Sequence, residues 1–111
     1  MKAIELKDIP KIDNPHKVEV RKFHETENVQ AVQITLLPGE NLKKHTTAVD
    51  VFFYVLEGTG IVEIGNEKKQ VIKDTYIDSP ARIPHCWYNE SKEILKILVV
   101  KTPKPNERPK M

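Results

Sequence analysis

A single cysteine, Cys86, stands among the 111 residues, so no intramolecular disulfide is available and a reducing, intracellular setting is expected. No continuous apolar run opens the chain. Met1 to Pro10 carries Lys2, Glu5, Lys7 and Asp8, which argues against a signal peptide or a spanning helix there and makes a soluble, cytoplasmic protein the expectation. Excess charge is also lacking: the net charge is +2, with acidic and basic residues interleaved. Lys43-Lys44 and Lys68-Lys69 therefore read as solvated turn residues, and neither nucleic acid nor membrane is expected as a partner. Missing too is any segment longer than about ten residues with a clean 3.6-residue period, so helices should be minor.

What the chain does have is short strands between turn signals. Val18 to Phe23 alternates apolar and charged residues, as a half-exposed strand does. Val29 to Leu37 is rich in strand formers and closes on Pro38-Gly39, where Pro fixes φ and Gly frees it. Val51 to Leu56 is continuously apolar and aromatic and predicts a strand buried on both faces. Ile61 to Ile64 and Gln70 to Lys73 flank Gly65-Asn66, a hairpin-type turn, and Ile94 to Val100 is the last strand. Before them, Pro10, Pro15 and Asp13-Asn14 make residues 1–17 an arm with at most one short strand, Ala3 to Leu6. After them, residues 102–111 hold three prolines among polar residues and read as a flexible tail. The domain proper spans residues 18–101, and evenly spaced short strands argue for an all-β sandwich or closed barrel.

Two spacings sharpen this. Gly39, His45 and Gly58 fit the frame G-x5-H-x-H-x3,4-E-x6-G, with Thr47 at the second His and Val51 at the Glu. Pro80, His85 and Asn89 fit G-x5-P-x-G-x2-H-x3-N, with Asp74 and Arg82 at the two glycines. These are the two motifs of the cupin family, which the chain resembles over about residues 38–100; Tyr54-Val55-Leu56-Glu57-Gly58-Thr59-Gly60 looks like a common cupin stretch. The resemblance implies a jelly-roll barrel, the double-stranded β-helix.

In strands, residues two apart share a face. His85, Trp87 and Asn89 then point one way and Cys86 and Tyr88 the other; His45 goes with Thr47, and Val51 with Phe53 and Val55. A cupin metal is held by two His and a Glu from the first motif and a His from the second. Transferred position by position, that set keeps His45 and His85, and Asp50 becomes the third candidate if the 47–50 loop turns its carboxylate inward. The resemblance thus implies a divalent transition metal, Fe, Mn, Ni or Zn, on His45, His85 and Asp50. The alternative is structural: two hydrogen-bonded interior histidines, satisfied by Thr47, Asn89 or water.

Thr47, Phe53, Trp87, Asn89 and Arg82 are the candidate ligand-binding residues. Each has a plainer reading: core packing for Phe53 and Trp87, an exposed turn for Arg82. His16 and His24 read as solvated, and Cys86 as a small buried hydrophobe. Three functions stay open: a metal-dependent enzyme of dioxygenase, decarboxylase or isomerase type acting on a small molecule; a metal-free pocket for a small ligand; or an assembly module without catalysis. Open sheet edges predict a homodimer, built through the arm or the Val18 strand.

Overall fold

Two antiparallel sheets face each other in the computed structural model, which describes residues 1–105. Nine strands make them: β1 (Glu19–Glu25), β2 (Gln30–Leu36), β3 (Asn41–His45), β4 (Asp50–Glu57), β5 (Thr59–Ile64), β6 (Glu67–Ile72), β7 (Tyr76–Ser79), β8 (His85–Tyr88) and β9 (Leu95–Thr102). The five-stranded sheet runs β1-β2-β9-β4-β7 and the four-stranded sheet β3-β8-β5-β6. The expected all-β jelly roll is therefore the observed one. No α-helix occurs among the described residues.

Alternation decides what goes inside. Leu95, Ile97 and Val99 of β9 are buried, as are Val51, Phe53 and Val55 of β4. These meet Leu42, Val62 and Trp87 of the other sheet in one apolar core. Burying such side chains supplies the main favourable term, about 1.5–3 kcal/mol for each large residue. β4 corrects the expectation of burial on both faces: Phe52, Tyr54 and Leu56 are only half-buried. On their outer face Phe52 lies tilted against the Tyr76 ring at 5.5 Å, with no second layer over it among the described residues. β7 adds to the strands read from the sequence: Tyr76–Ser79 is only four residues long, too short for a periodic pattern to show.

The turns retain the backbone that the motif glycines imply. Asp74 and Arg82, standing at the two glycine positions, both take φ of 66°, a left-handed conformation that costs a non-glycine residue about 1–2 kcal/mol. Gly58, at φ 88°, has no alternative: a Cβ there would lie 2.3 Å from the Ile94 carbonyl oxygen.

Residues 6–12 of the arm lie along β1. The short strand expected at Ala3–Leu6 is replaced by a 3₁₀ turn at Leu6–Asp8. It is held there because Arg21 donates to the carbonyls of Leu6, Lys7 and Ile9. Lys11 bridges Arg21, and Ile12 N–H donates to Val20 O at 2.8 Å. Asn14 then folds the chain back: its amide nitrogen donates to Ile12 O and Val18 O, and its oxygen accepts from the N–H groups of His16 and Val18. This Asn-centred turn, with Lys17 at φ 59°, presents His16 to β3. Of the expected tail, Thr102 still belongs to β9, and residues 106–111 lie outside the described residues.

Candidate functional site: a histidine layer at one end of the barrel

A β-bulge builds the site. β3 and β8 pair at Asn41–Tyr88 and Leu42–Trp87, and the next pair is His45–His85. Three steps along β3 thus answer two along β8. Without the extra residue, alternation from buried Leu42 would turn Lys44 inward and His45 outward. The bulge also frees the backbone of Lys43, and imidazoles take both of its groups. Lys43 N–H donates to His16 Nδ1 at 2.9 Å, and Lys43 C=O lies 2.9 Å from His45 Nδ1.

Those bonds assign the tautomers. A carbonyl only accepts, so His45 carries its proton on Nδ1 and offers a lone pair at Nε2. His85 Nε2 lies 3.2 Å from that atom and is therefore the donor. Its Nδ1, 2.8 Å from Ser79 Oγ, then accepts from the hydroxyl. The result is one directed chain, Ser79 to His85 to His45 to Lys43 O, joining β7, β8 and β3. His16 accepts at Nδ1 and so holds its proton on Nε2. Its ring centroid is 5.1 Å from that of His45, which is 4.5 Å from His85. His85 is buried, and its pKa is lowered to about 4, first by that burial and then by the charges of His45, Lys101 and His16. His16 is lowered as well, by burial first and then by His45, Lys43 and Lys101.

Strand register shows what faces this layer. In the four-stranded sheet the row is His45, His85, Ile64, Glu67. In the five-stranded sheet it is Glu25, Gln30, Lys101, Val51, Ser79. Directly paired residues share a face, and Val51 and Ser79 are fully buried, so the row points inward. The Ser79–His85 bond ties the two rows together. Lys101 is half-buried, its ammonium pKa lowered by desolvation, and among the described residues it forms no ion pair. It continues the inward stripe of Leu95, Ile97 and Val99, a signal legible in the sequence but not drawn from it.

The expected site residues divide. His45 and His85 converge, and Phe53 packs on His85 at 5.2 Å and on Trp87 at 5.4 Å. Trp87 is wholly buried beneath them, and its Nε1 has no partner among the described residues. The other four stand apart. Asp50 is exposed, and its Oδ1 accepts from Ala81 N–H at 2.9 Å, so the loop does not turn its carboxylate inward. Thr47 donates to Val49 O rather than to an imidazole. Asn89 is a buried brace that donates to Leu36 O and Glu93 O. Arg82 is an exposed turn residue whose N–H donates to Thr47 O. The histidines are thus satisfied by Ser79, Lys43 and each other. Their mutual bond also closes the interior pocket expected between them, leaving approach from the barrel end, where His16, His45, Thr47 and Lys101 are half-exposed. A separate cleft of about 730 Å³ opens between β6 and β7, floored by Val62, Val71 and Ile77.

Tested against a metal, the residues fit in part. The 3.2 Å separation of the two Nε2 atoms is that of ligands roughly 90–110° apart on an ion at about 2.1 Å. The anionic ligand is missing: Val51 stands in its place with Lys101 paired beside it. Among the described residues no three His, Cys, Asp or Glu side chains gather as a metal-binding group. A tightly held resident ion does not fit this set.

Comparison with known proteins agrees with the architecture. A family model described as "Cupin domain" matches residues 32–101. The crystal structure of TT1209 from Thermus thermophilus superposes with a TM-score of 0.81 at 31% identity, covering 95% of this chain and 100% of that one. The polyketide cyclase RemF from Streptomyces resistomycificus superposes with a TM-score of 0.82 at 18% identity, over 95% of this chain and 81% of its own. Among curated sequences, the uncharacterized protein MJ1618 of Methanocaldococcus jannaschii is 39% identical over 62 residues, 56% of this chain. The chain spans about half the length of that relative, 49%.

Proposed function

The chain belongs to the cupin family, and on that premise we propose that it is a small-molecule-binding cupin whose ligand enters at the histidine end of the barrel and needs no resident metal. The observation that supports this best is the make-up of the layer: a hydrogen-bonded imidazole pair faces Val51 and Lys101, where an ion would need a carboxylate. His16 supplies a ring N–H at the half-exposed rim, with the His45 ring 5.1 Å away and Phe53 and Trp87 as an apolar base beneath His85. A cupin metal, if bound, would supply Lewis acidity or oxygen activation, and His45 and His85 would be its ligands.

The test begins with elemental analysis of untagged protein after dialysis. The expected result is well below one transition metal per chain. Thermal-shift screening of small polar molecules should then stabilise the wild type and not His45→Ala. Near-stoichiometric metal that survives dialysis, and is lost in His85→Ala, would replace this reading with the second one, a two-histidine metal centre. That second reading is favoured by the 3.2 Å nitrogen separation.

A further inference from the structure

We propose that the ligand of this layer is an anion, with a carboxylate or phosphate group held between the Lys101 ammonium and the His16 imidazole. The inference rests on the reading of the histidine end as a ligand site and names the ligand's chemistry. Three observations carry it. First, Lys101 sits on the inward face of β9, paired with Val51 on one side and Gln30 on the other, so its cross-strand neighbours supply an apolar side chain and an amide but no charge. An ammonium withdrawn from water without a counter-charge is costly, and such groups are ordinarily paired. Second, the carboxylates in these rows stand at its outer ends or are engaged. Glu25 is bound by Gln30 and Lys22 and lies 4.0 Å from Lys104. Glu67 is exposed at the far side of β5, and Asp50 is held by Ala81 N–H. Third, the tautomer assignment leaves His16 Nε2–H as a donor, because Lys43 N–H occupies Nδ1. The same assignment prevents neutral His16 from serving as a metal ligand through Nε2.

The register adds a reason for the arrangement. Val51 occupies the carboxylate position of the family frame, and the neighbouring strand places a lysine beside it. With no carboxylate at Val51 and an ammonium paired beside it, the layer favours an anion over a cation. An oxyanion accepting from an ammonium and an imidazole N–H makes two charge-assisted or strongly polar bonds in a partly desolvated place.

The experiment is a two-dimensional NMR titration of the full chain at pH 7.5, with sodium phosphate and sodium malonate as separate probes, against sodium chloride at matched ionic strength. Saturable shifts at the His45, Thr47 and Lys101 amides are expected for phosphate, malonate or both, and which probe saturates identifies the group. Lys101→Met should weaken that binding at least tenfold, Lys101→Arg should retain most of it, and the exposed Lys92→Met should leave it unchanged. Should Lys101→Met not fold, the wild-type Lys101 side-chain resonances report directly, and their failure to shift on saturation overturns the proposal. Equal binding in Lys101→Met, or shifts no different from chloride, also overturns it. Saturable shifts at the same amides with glucose but with neither anion would keep the ligand site and remove its anion specificity. Silence with all three probes, alongside failed thermal-shift screening, would remove both.

Discussion

His85 links position to acidity. Its pKa of about 4 in the folded protein compares with 6.5 when free, so above pH 6.5 it is neutral in both states and its burial costs no protonation energy. Between these values the unfolded chain takes up the proton first, and stability therefore falls as pH drops through 6.5 and levels near 4. At about 1.4 kcal/mol per unit, the loss approaches roughly 3 kcal/mol. Denaturant unfolding of the wild type and His85→Gln across pH 4–7 should show this slope in the first and a flatter one in the second. Lys101 carries the opposite lesson. Lys101→Met removes a half-buried ammonium that has no ion-pair partner among the described residues and should raise the unfolding free energy by about 1 kcal/mol in the absence of phosphate and carboxylates. Chemical denaturation in chloride buffer checks it, and an unchanged or lowered midpoint would mean that the ammonium is well solvated.

At the scale of elements, spacing was legible and register was not. Gly39, His45, Pro80 and His85 keep their motif intervals, and so the barrel and the meeting of the two imidazoles could be read before any pairing was known. His45 faces inward only because of the bulge at Lys43–Lys44, which no composition rule marks. Ser79 and His16 join the layer through a strand and a turn whose partners lie far along the chain. Lys101 was readable as the charged end of the Leu95–Ile97–Val99 stripe, since parity alone places it inside. Asp50 failed for the opposite reason: a nearby backbone N–H claimed its carboxylate. The left-handed turns at Asp74 and Arg82 make a further test. Arg82→Gly relieves the φ penalty while loosening the unfolded chain, and the net gain should be about 0.5–1 kcal/mol, measured as a raised unfolding midpoint. Gly58→Ala, by contrast, should cost more than about 3 kcal/mol, because the clash is with the Ile94 backbone and backbone cannot rotate away.

For the whole molecule, the five-stranded sheet ends at β1 and β7 and the four-stranded sheet at β3 and β6; the arm lies on the β1 edge and touches β3 through His16. Exposed Phe23, Ile72 and Tyr76 lie on edge strands, so a homodimer remains the expected state in solution. Sedimentation at micromolar concentration should give twice the chain mass, and a monomer there would contradict it. The arm has a second role besides edge cover. Because Lys43 N–H donates to His16 rather than to a strand partner, the hydrogen on that nitrogen records whether the arm is seated. In deuterated buffer it should exchange slowly while residues 12–18 hold their turn, and quickly in Asn14→Ala, whose barrel amides keep their protection. One exchangeable hydrogen thus becomes a clock for the arm's local opening, separable from the unfolding of the barrel that carries it.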